Sequence, residues 1–362
     1  MRHEPKGKAC LLPAAALCLL LSGCSGLPAA REMGDMALLR TMGVDNSPAG
    51  VAVTGSTGPR AKGLQGEGEA ALTLSADRES LSGACLAMQG QSDSYVFFGY
   101  VDQLLIGEGL AERGVQPVLD YFARDGELGL GAQMWLVRGA TAREAVSAGG
   151  DQGVDSRLET IQNDSKMGIA NRTRTAGEVY TDLLELGSAY LPALTPTEEG
   201  AAVLSEMGYG VLKDGSLAGF LNGDAARGLE LLAGGVQGDI LELSGWPVSV
   251  QITSACTQSR LEFQGDTPTA LVLICKVEAR LSEYRDRPAG TERKRLLAQV
   301  EDQERERLNA ALNQLRAWGA DCTGLGAKAA MARPAQWQAV RGDWPEWFSR
   351  VPVNVQVEVK IL

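Results

Sequence analysis

The last stretch of the chain, Val351-Pro-Val-Asn-Val-Gln-Val-Glu-Val-Lys-Ile-Leu362, alternates apolar and polar residues. Such alternation predicts a β-strand with one buried face. The strand must pair with a sheet, because an unpaired apolar edge promotes aggregation. Three earlier runs alternate in the same way: Val248, Val250 and Ile252; Leu261 and Phe263; and Leu271, Leu273, Val277, Ala279 and Leu281. Together they predict an antiparallel sheet with one buried face, closed by the terminal strand.

A long helix is predicted between these strands, from Thr291 to about Trp318. Its apolar residues recur at helical spacing, while its other face carries Glu, Arg, Lys and Gln. The apolar positions are Leu297, Val300, Leu308, Ala311, Leu312 and Leu315. We expect Thr291 to cap the helix and the apolar face to lie across the domain's own sheet. A partner-binding or coiled-coil helix is the alternative.

A hairpin and a short helix are predicted just before this sheet. Two short strands between Tyr209 and Leu221 flank the turn Lys213-Asp214-Gly215. The helix that follows would have Asn222 or Asp224 as its cap. Its apolar positions are Leu229, Leu231 and Leu232. Residues 205–362 are therefore expected to form an α+β domain.

Strands and helices alternate in residues 31–192, which predicts a mixed α/β region that could be divided into two. The strand candidates are Met36-Ala-Leu-Leu39, Gly50-Val-Ala-Val-Thr54, Tyr95-Val-Phe-Phe98, Val101-Asp-Gln-Leu-Leu-Ile106 and Gln133-Met-Trp-Leu-Val137. Helices are predicted after Gly107, Val115 and Thr141, and from Tyr180 to Leu186. Residues 149–174 lack a pattern and are expected to form a loop or a mobile segment, while Pro192 and Pro196 indicate a domain junction. The chain as a whole is expected to be a multi-domain α+β protein.

The N-terminus has the features of an export signal. Basic residues Arg2, Lys6 and Lys8 precede an apolar run over residues 9–21. This run is shorter than the roughly 20 residues that cross a bilayer.

The tetrapeptide Leu21-Ser22-Gly23-Cys24 then fits a lipobox, in which Cys24 receives an acyl lipid and cleavage after Gly23 makes it the new N-terminus. We therefore predict a signal peptide over residues 1–23 and a tether over residues 24–30. An ordinary signal peptide that leaves Cys24 as a free thiol is the alternative.

The charge balance disfavours a general role in nucleic-acid binding. The chain carries a formal net charge of −11, and removal of residues 1–23 takes away two net positive charges and leaves −13. Binding to phosphate backbones needs a basic face.

Histidine and cysteine usage narrows the possible chemistry. The single histidine, His3, lies in the segment expected to be removed, so the mature chain could form neither a Ser-His-Asp triad nor a His-ligated zinc site. Cys85, Cys256, Cys275 and Cys322 remain besides Cys24, without metal-ligand spacing. Cys256 and Cys275 fall on predicted neighbouring strands, where a disulfide is geometrically possible, although buried free thiols are the favoured interpretation. The sequence therefore predicts no catalytic residue, cofactor or metal site.

Two further groups of residues allow a functional and a structural interpretation. The glycines at 126, 129 and 131, and at 324 and 326, superficially resemble phosphate loops but lack the spacing and the Gly-Lys-Ser/Thr of a P-loop. A charged cluster, Asp120, Arg124, Asp125 and Glu127, is either an interaction surface or a solvated helix end with local ion pairs; the second is favoured.

An aromatic cluster near the C-terminus allows the same two interpretations. It comprises Trp337, Trp344, Trp347 and Phe348. These side chains could line a ligand site, because aromatic residues are favoured at interfaces. With prolines at 334, 345 and 352, a packed irregular segment that covers the last strand is the favoured interpretation.

Several segments, taken in order, resemble one known family. They are Arg31-Glu-Met-Gly-Asp-Met-Ala-Leu-Leu39, Leu105-Ile-Gly-Glu-Gly-Leu-Ala-Glu-Arg-Gly-Val115, Gly210-Val-Leu-Lys-Asp-Gly-Ser-Leu-Ala-Gly-Phe-Leu221, Asp321-Cys-Thr-Gly-Leu-Gly326, Pro334-x-x-Trp337 and Trp344-x-x-Trp-Phe348. The chain resembles the Ger(x)C lipoproteins, the C subunits of bacterial spore nutrient germinant receptors. It departs from them at Ser25-Gly26, where the family usually has Trp-Asp after the lipid cysteine.

The resemblance implies a non-enzymatic subunit on the outer surface of the spore's inner membrane, anchored by lipid. Its partners would be an A-type and a multi-spanning B-type subunit, and family members are usually counted as three mixed α/β domains. A surface lipoprotein that binds a solute for an importer is the alternative, and such a protein should show two similar lobes. A hydrolase using carboxylates is a weaker option, because no acid/base pair stands out.

Overall fold

The structure is a computed structural model that describes residues 36–59, 69–168, 171–197, 203–236, 238–243, 245–246, 248–284 and 288–362. Two large β-sheets, of eight and four strands, organise these residues, and a third sheet pairs the short strands Met36–Leu38 and Tyr95–Phe97. Ala37–Leu362 forms one compact unit. Of the preceding residues, Met1–Met36, only Met36 lies within the described residues.

The strands are β1 Met36–Leu38, β2 Thr41–Ser47, β3 Gly50–Ser56, β4 Thr73–Arg78, β5 Tyr95–Phe97, β6 Gln103–Gly107, β7 Gln133–Val137, β8 Ser188–Pro196, β9 Leu204–Lys213, β10 Ser216–Leu221, β11 Ile240–Glu242, β12 Val248–Gln264, β13 Thr267–Tyr284 and β14 Val353–Ile361. The helices are α1 Leu81–Gln89, α2 Glu108–Arg113, α3 Gln116–Arg124, α4 Ala142–Ser147, α5 Asp155–Lys166, α6 Ala176–Leu186, α7 Asp224–Ala233, α8 Gly290–Trp318, α9 Leu325–Ala330, α10 Pro334–Val340 and α11 Trp344–Arg350. Short 3₁₀ turns occur at Gly150–Gln152 and Arg341–Asp343.

The larger sheet has eight strands in the order β10-β9-β8-β7-β6-β2-β3-β4. The four central strands, β8, β7, β6 and β2, run parallel, and antiparallel strands flank them on both sides. Every residue of β6 is buried, as expected of a central parallel strand that is covered on both faces.

The side chains of successive β6 residues pack on opposite faces of this sheet. Leu104 and Ile106 join a core with α1, α2, α3 and α6, whereas Leu105 joins a second core with α4 and α5. The predicted capping threonine is confirmed at α4, where Thr141 and Glu144 form a reciprocal capping box. The mixed α/β character expected for this half of the chain is thus confirmed.

The smaller sheet has four strands in the order β11-β12-β13-β14. β12 and β13 form a long antiparallel hairpin, and β14 pairs with β13 from Leu271↔Val353 to Ala279↔Ile361. The prediction that the terminal strand closes the sheet is confirmed. It runs parallel to β13, so the sheet is mixed; the alternation of residues fixes which face is buried but not the direction of pairing.

The long helix α8 packs into the core of the smaller sheet through one face, as predicted. Its buried residues are Leu296, Val300, Glu304, Leu308, Ala311, Leu312 and Leu315. The expected cap is wrong: the helix begins at Gly290 after Ala289, and Thr291 lies in the first turn without a capping hydrogen bond. At α7, Gly223 occupies the cap position, so neither Asn222 nor Asp224 caps it by a side chain. The apolar positions expected there are buried.

The loop expected over residues 149–174 is wrong, because twelve of these residues form α5. This helix is strongly polar and buries two apolar side chains, Leu158 and Ile161. Contacts from elsewhere in the chain hold it: Arg40 binds Glu159, and Arg157 donates to the carbonyl oxygen of Leu204 at 3.3 Å. Tertiary contacts of this kind leave little trace in local periodicity.

Pro192 and Pro196 lie within strand β8. The pairing of β8 with β9 shifts register between Pro192 and Leu194, which accommodates a residue that lacks an N–H donor. Strands β9 and β10 therefore extend the same sheet as β8. Division of the chain into residues 31–192 and 205–362 stays a prediction.

Among the described helices, none has the length and apolar character needed to cross a membrane.

Candidate functional site

A pocket of about 440 Å³ opens where the end of α6 meets the helices α9, α10 and α11. We call it the tryptophan pocket. Its wall includes Glu185, Leu186, Trp337, Arg341, Trp344 and Pro345. It brings together residues from both halves of the chain, which the sequence places more than 150 positions apart.

Asp321 organises the wall of the tryptophan pocket. Its carboxylate is 5 % exposed and accepts three hydrogen bonds, each 2.8 Å long. The donors are the backbone N–H groups of Leu325 and Gly326 and the indole Nε1–H of Trp344. Burial raises the pKa of Asp321, and the three donors oppose that rise. The carboxylate thus ties the start of α9 to the ring of Trp344.

The aromatic cluster divides between the pocket and its surroundings. Trp344 meets Trp337 edge to face with ring centroids 5.2 Å apart, and both rings line the pocket. Phe348 is fully buried beside Trp344. Trp347 is stacked by the guanidinium of Arg350 at 4.1 Å and takes no part in the pocket wall. The irregular segment expected here is wrong, since the aromatic residues lie on the helices α10 and α11.

Two opposite charges also line the pocket. Glu185 lies near the end of α6, and Arg341 lies in the 3₁₀ turn between α10 and α11. Both side chains are exposed, and neither forms a hydrogen bond or an ion pair with any described residue. The pocket therefore presents a free carboxylate and a free guanidinium beside an apolar wall. The sequence gives no signal for this pair, because only the fold brings them together.

A second cluster, which sequence reasoning missed, is a buried ion network between α7 and α8. Arg307 of α8 binds Asp239 at 2.6 Å and Glu304 at 3.1 Å. Arg227 of α7 binds Glu230 at 2.7 Å. Glu304 is 1 % exposed, and burial raises its pKa to about 7 against the attraction of Arg307. The burial of Glu304 could have been predicted from helical spacing, because Glu304 lies four residues from both Val300 and Leu308 on the apolar face.

Tyr209 connects this network to the larger sheet. Its hydroxyl donates to Glu230 at 2.6 Å and accepts from the backbone N–H of Arg172 at 2.5 Å. Burial raises the pKa of Tyr209 well above its ordinary value, and the negative charge of the nearby Glu230 raises it further. Arg227 lines two polar cavities, of about 340 and 460 Å³.

The charged cluster at the end of α3 makes both local and long-range hydrogen bonds. The Tyr180 hydroxyl donates to Asp120 at 2.6 Å, while Asp125 and Glu127 accept from backbone N–H groups nearby. Arg124 forms no ion pair with a described residue, so the expected local ion pairs are wrong for this side chain. The acidic residues fasten the loop between α3 and β7.

The second glycine cluster, Gly324 and Gly326, has conformational roles, whereas the first is not constrained by its surroundings. Gly324 adopts φ +67° at the start of α9. Gly326 packs against the ring of Trp344 so closely that a Cβ atom would overlap it. Gly126 and Gly131 lie in the open loop before β7, where a Cβ atom would meet no other residue.

The four described cysteines are free thiols. Cys85, Cys275 and Cys322 are buried, and Cys256 is exposed, contrary to the expectation that it is buried. Cys256 and Cys275 lie on the paired strands β12 and β13, one residue out of register. Burial raises the pKa of the Cys85 and Cys275 thiols to about 11, which keeps them protonated at neutral pH.

The predicted lipid-attachment residue Cys24 and the cleavage position Gly23 lie outside the described residues. Among the described residues, no three or more His, Cys, Asp or Glu side chains converge to hold a metal ion.

Comparisons with known proteins identify relatives of both halves of the chain. The family model described as "Spore germination protein N-terminal domain" matches residues 29–196, and the model described as "Spore germination B3/GerAC like, C-terminal" matches residues 207–362. Spore germination protein B3 of Bacillus subtilis (strain 168) is 23% identical over 288 residues, which cover 75% of each chain. The crystal structure of the GerBC protein is similar with a TM-score of 0.60 at 20% identity, over 89% of this chain and 97% of that one. The last comparison shows that the two proteins share a fold.

Proposed function

Because the chain belongs to the Ger(x)C family of GerAC-like spore germination proteins, we propose that it is the lipid-anchored C subunit of a nutrient germinant receptor. Membership identifies it as a germinant receptor C subunit involved in spore germination. The observation that carries the proposal is the pair of family matches, which together extend over residues 29–196 and 207–362.

The lipid anchor is proposed at Cys24. The lipobox Leu21-Ser22-Gly23-Cys24 ends shortly before the first family match begins at residue 29. Cleavage after Gly23 would leave the acylated cysteine at the start of the predicted tether, residues 24–30. Stable anchoring needs two or more acyl chains, because a single chain holds only marginally.

The subunit is proposed to act by protein–protein contact on the outer surface of the spore's inner membrane. Its partners would be the A-type and B-type receptor subunits. The family is not a known enzyme family, and we infer that this member contributes no catalysis of its own.

Dipicolinate release after nutrient addition tests the proposal in spores of the native host. Four strains are compared: wild type, a deletion of the gene, Cys24→Ala, and the matched control Cys256→Ala. The control removes an exposed thiol in strand β12, outside the predicted lipobox. We expect the deletion to abolish the response to one set of nutrients and Cys24→Ala to weaken it and to release the protein from the membrane fraction. Cys256→Ala should behave as wild type.

Two results would separate the parts of the proposal. Normal germination of the deletion strain with every nutrient, in a host without a compensating paralogue, would refute the receptor assignment. A Cys24→Ala protein that stays in the membrane fraction would refute only the lipid anchor.

A further inference from the structure

The tryptophan pocket has the composition of a small-ligand site, and we propose that it binds a small zwitterion with an apolar side chain, the class to which apolar α-amino acids belong. The inference goes beyond the proposed function. It depends neither on the lipid anchor nor on the partner subunits.

The size of the pocket favours a small molecule. A volume of about 440 Å³ falls within the roughly 300–1,000 Å³ of small-molecule sites. Such sites combine an apolar lining with a few placed polar groups. Here Leu186, Pro345 and the rings of Trp337 and Trp344 supply the apolar lining.

The apolar wall is held in place before any ligand arrives. Trp344 is fixed by its hydrogen bond to Asp321 at 2.8 Å and by close packing on Gly326. Trp337 rests edge to face on Trp344. A rigid wall lowers the entropic cost of binding, because its side chains are already ordered. The oxygens of Asp321 accept three hydrogen bonds within the protein, so this carboxylate serves the wall rather than the ligand.

The free charges define the class of ligand. Arg341 can receive a carboxylate through paired N–H donors, and Glu185 can receive an ammonium group beside the indole faces, which also attract cations. A ligand with only a negative charge would face Glu185 without compensation. A ligand with only a positive charge would face Arg341 in the same way. A zwitterion satisfies both groups, and its side chain can cover the tryptophans.

Ligand-observed NMR on the full chain, purified in detergent, tests the inference. The probes are L-leucine and L-phenylalanine, each compared with analogues that keep one charge: 4-methylpentanoate and 3-methylbutylamine for leucine, and 3-phenylpropanoate and phenethylamine for phenylalanine. We expect saturable binding of at least one amino acid and binding of its single-charge analogues that is weaker by roughly tenfold or more, because each loses a charge-assisted hydrogen bond.

Variants then locate the site. Arg341→Gln and Glu185→Gln should each weaken binding roughly tenfold or more, and Trp337→Ala should weaken it as well. The matched controls are Arg333→Gln, Glu346→Gln and Trp347→Ala, which change the same residue types outside the pocket wall and should bind as wild type. Circular dichroism checks that every variant is folded.

Three results would overturn the inference: no saturable binding of either amino acid, equal binding of a single-charge analogue, or binding that Arg341→Gln and Glu185→Gln leave unchanged. Such a failure is distinct from failure of the receptor assignment, which is measured by germination and not by binding to the purified protein.

Discussion

Replacement of Glu304 by glutamine should remove a pH dependence from the stability of the fold. Glu304 lies 1 % exposed on the buried face of α8, and burial raises its pKa to about 7 from an ordinary value of 4.5. Below the ordinary value the carboxyl is protonated in both the folded and the unfolded chain. Between the two values the unfolded chain has released a proton that the folded chain retains. The free energy of unfolding therefore falls as pH rises from about 4.5 to about 7 and is level beyond that range.

The size of this effect follows from the two pKa values. A folded-state pKa of about 7 against 4.5 corresponds to about 3 kcal/mol. Glutamine has nearly the same shape and is neutral at every pH, so the variant should lack this contribution. The free energy of unfolding of Glu304→Gln relative to wild type should therefore rise by about 3 kcal/mol between about pH 4.5 and about pH 8.

Urea unfolding of the full chain, followed by tryptophan fluorescence at both pH values, measures this difference. Glu306→Gln is the matched control, because it makes the same change at an exposed position of the same helix. A difference for Glu304→Gln that stays constant or falls with pH would refute the reasoning. It would mean that the ion pair with Arg307 at 3.1 Å outweighs burial and keeps the carboxylate charged.

Three further predictions concern single contacts. Trp344→Phe should lower the free energy of unfolding by about 1–3 kcal/mol, because it leaves the buried Asp321 carboxylate with two hydrogen-bond donors instead of three. Thermal unfolding measures this loss, with Trp347→Phe as the control. Gly228→Ala should lower the free energy of unfolding by at least about 2 kcal/mol, because a Cβ atom there would overlap the backbone of Arg307 where α7 crosses α8. The control Gly131→Ala lies in open space and should leave the stability nearly unchanged. Equal Tm values for the two variants would contradict the packing of these helices. Among the four described cysteines, Cys256 alone should react rapidly with a thiol reagent under native conditions, as measured by peptide mapping of the labelled chain. Rapid labelling of Cys85, Cys275 or Cys322 would show that one of the buried cysteines is accessible.

The site was only partly predictable from the sequence. Trp337 and Trp344 stood out as an aromatic cluster, but Trp347 and Phe348 belonged to the same cluster and have different roles. Glu185 gave no signal, because it is an ordinary exposed residue near the end of a helix. Its proximity to Arg341 depends on how α6 lies against α10 and α11, and contacts between elements so distant in sequence leave no local pattern.

The sequence by itself determined which segments form most strands and helices and which face of each is buried. Periodicity carries this information, because burial on one side imposes a period of two on strands and of about 3.6 on helices. Thus the turn at Lys213–Gly215, strand β7 and the burial of α8 were predictable from neighbouring residues alone. The tertiary structure alone decided that β14 runs parallel to β13, that the polar segment Asp155–Lys166 is a helix, and that Arg307 binds Asp239. In each of these cases the deciding energy comes from partners far along the chain, so the local sequence is compatible with more than one outcome.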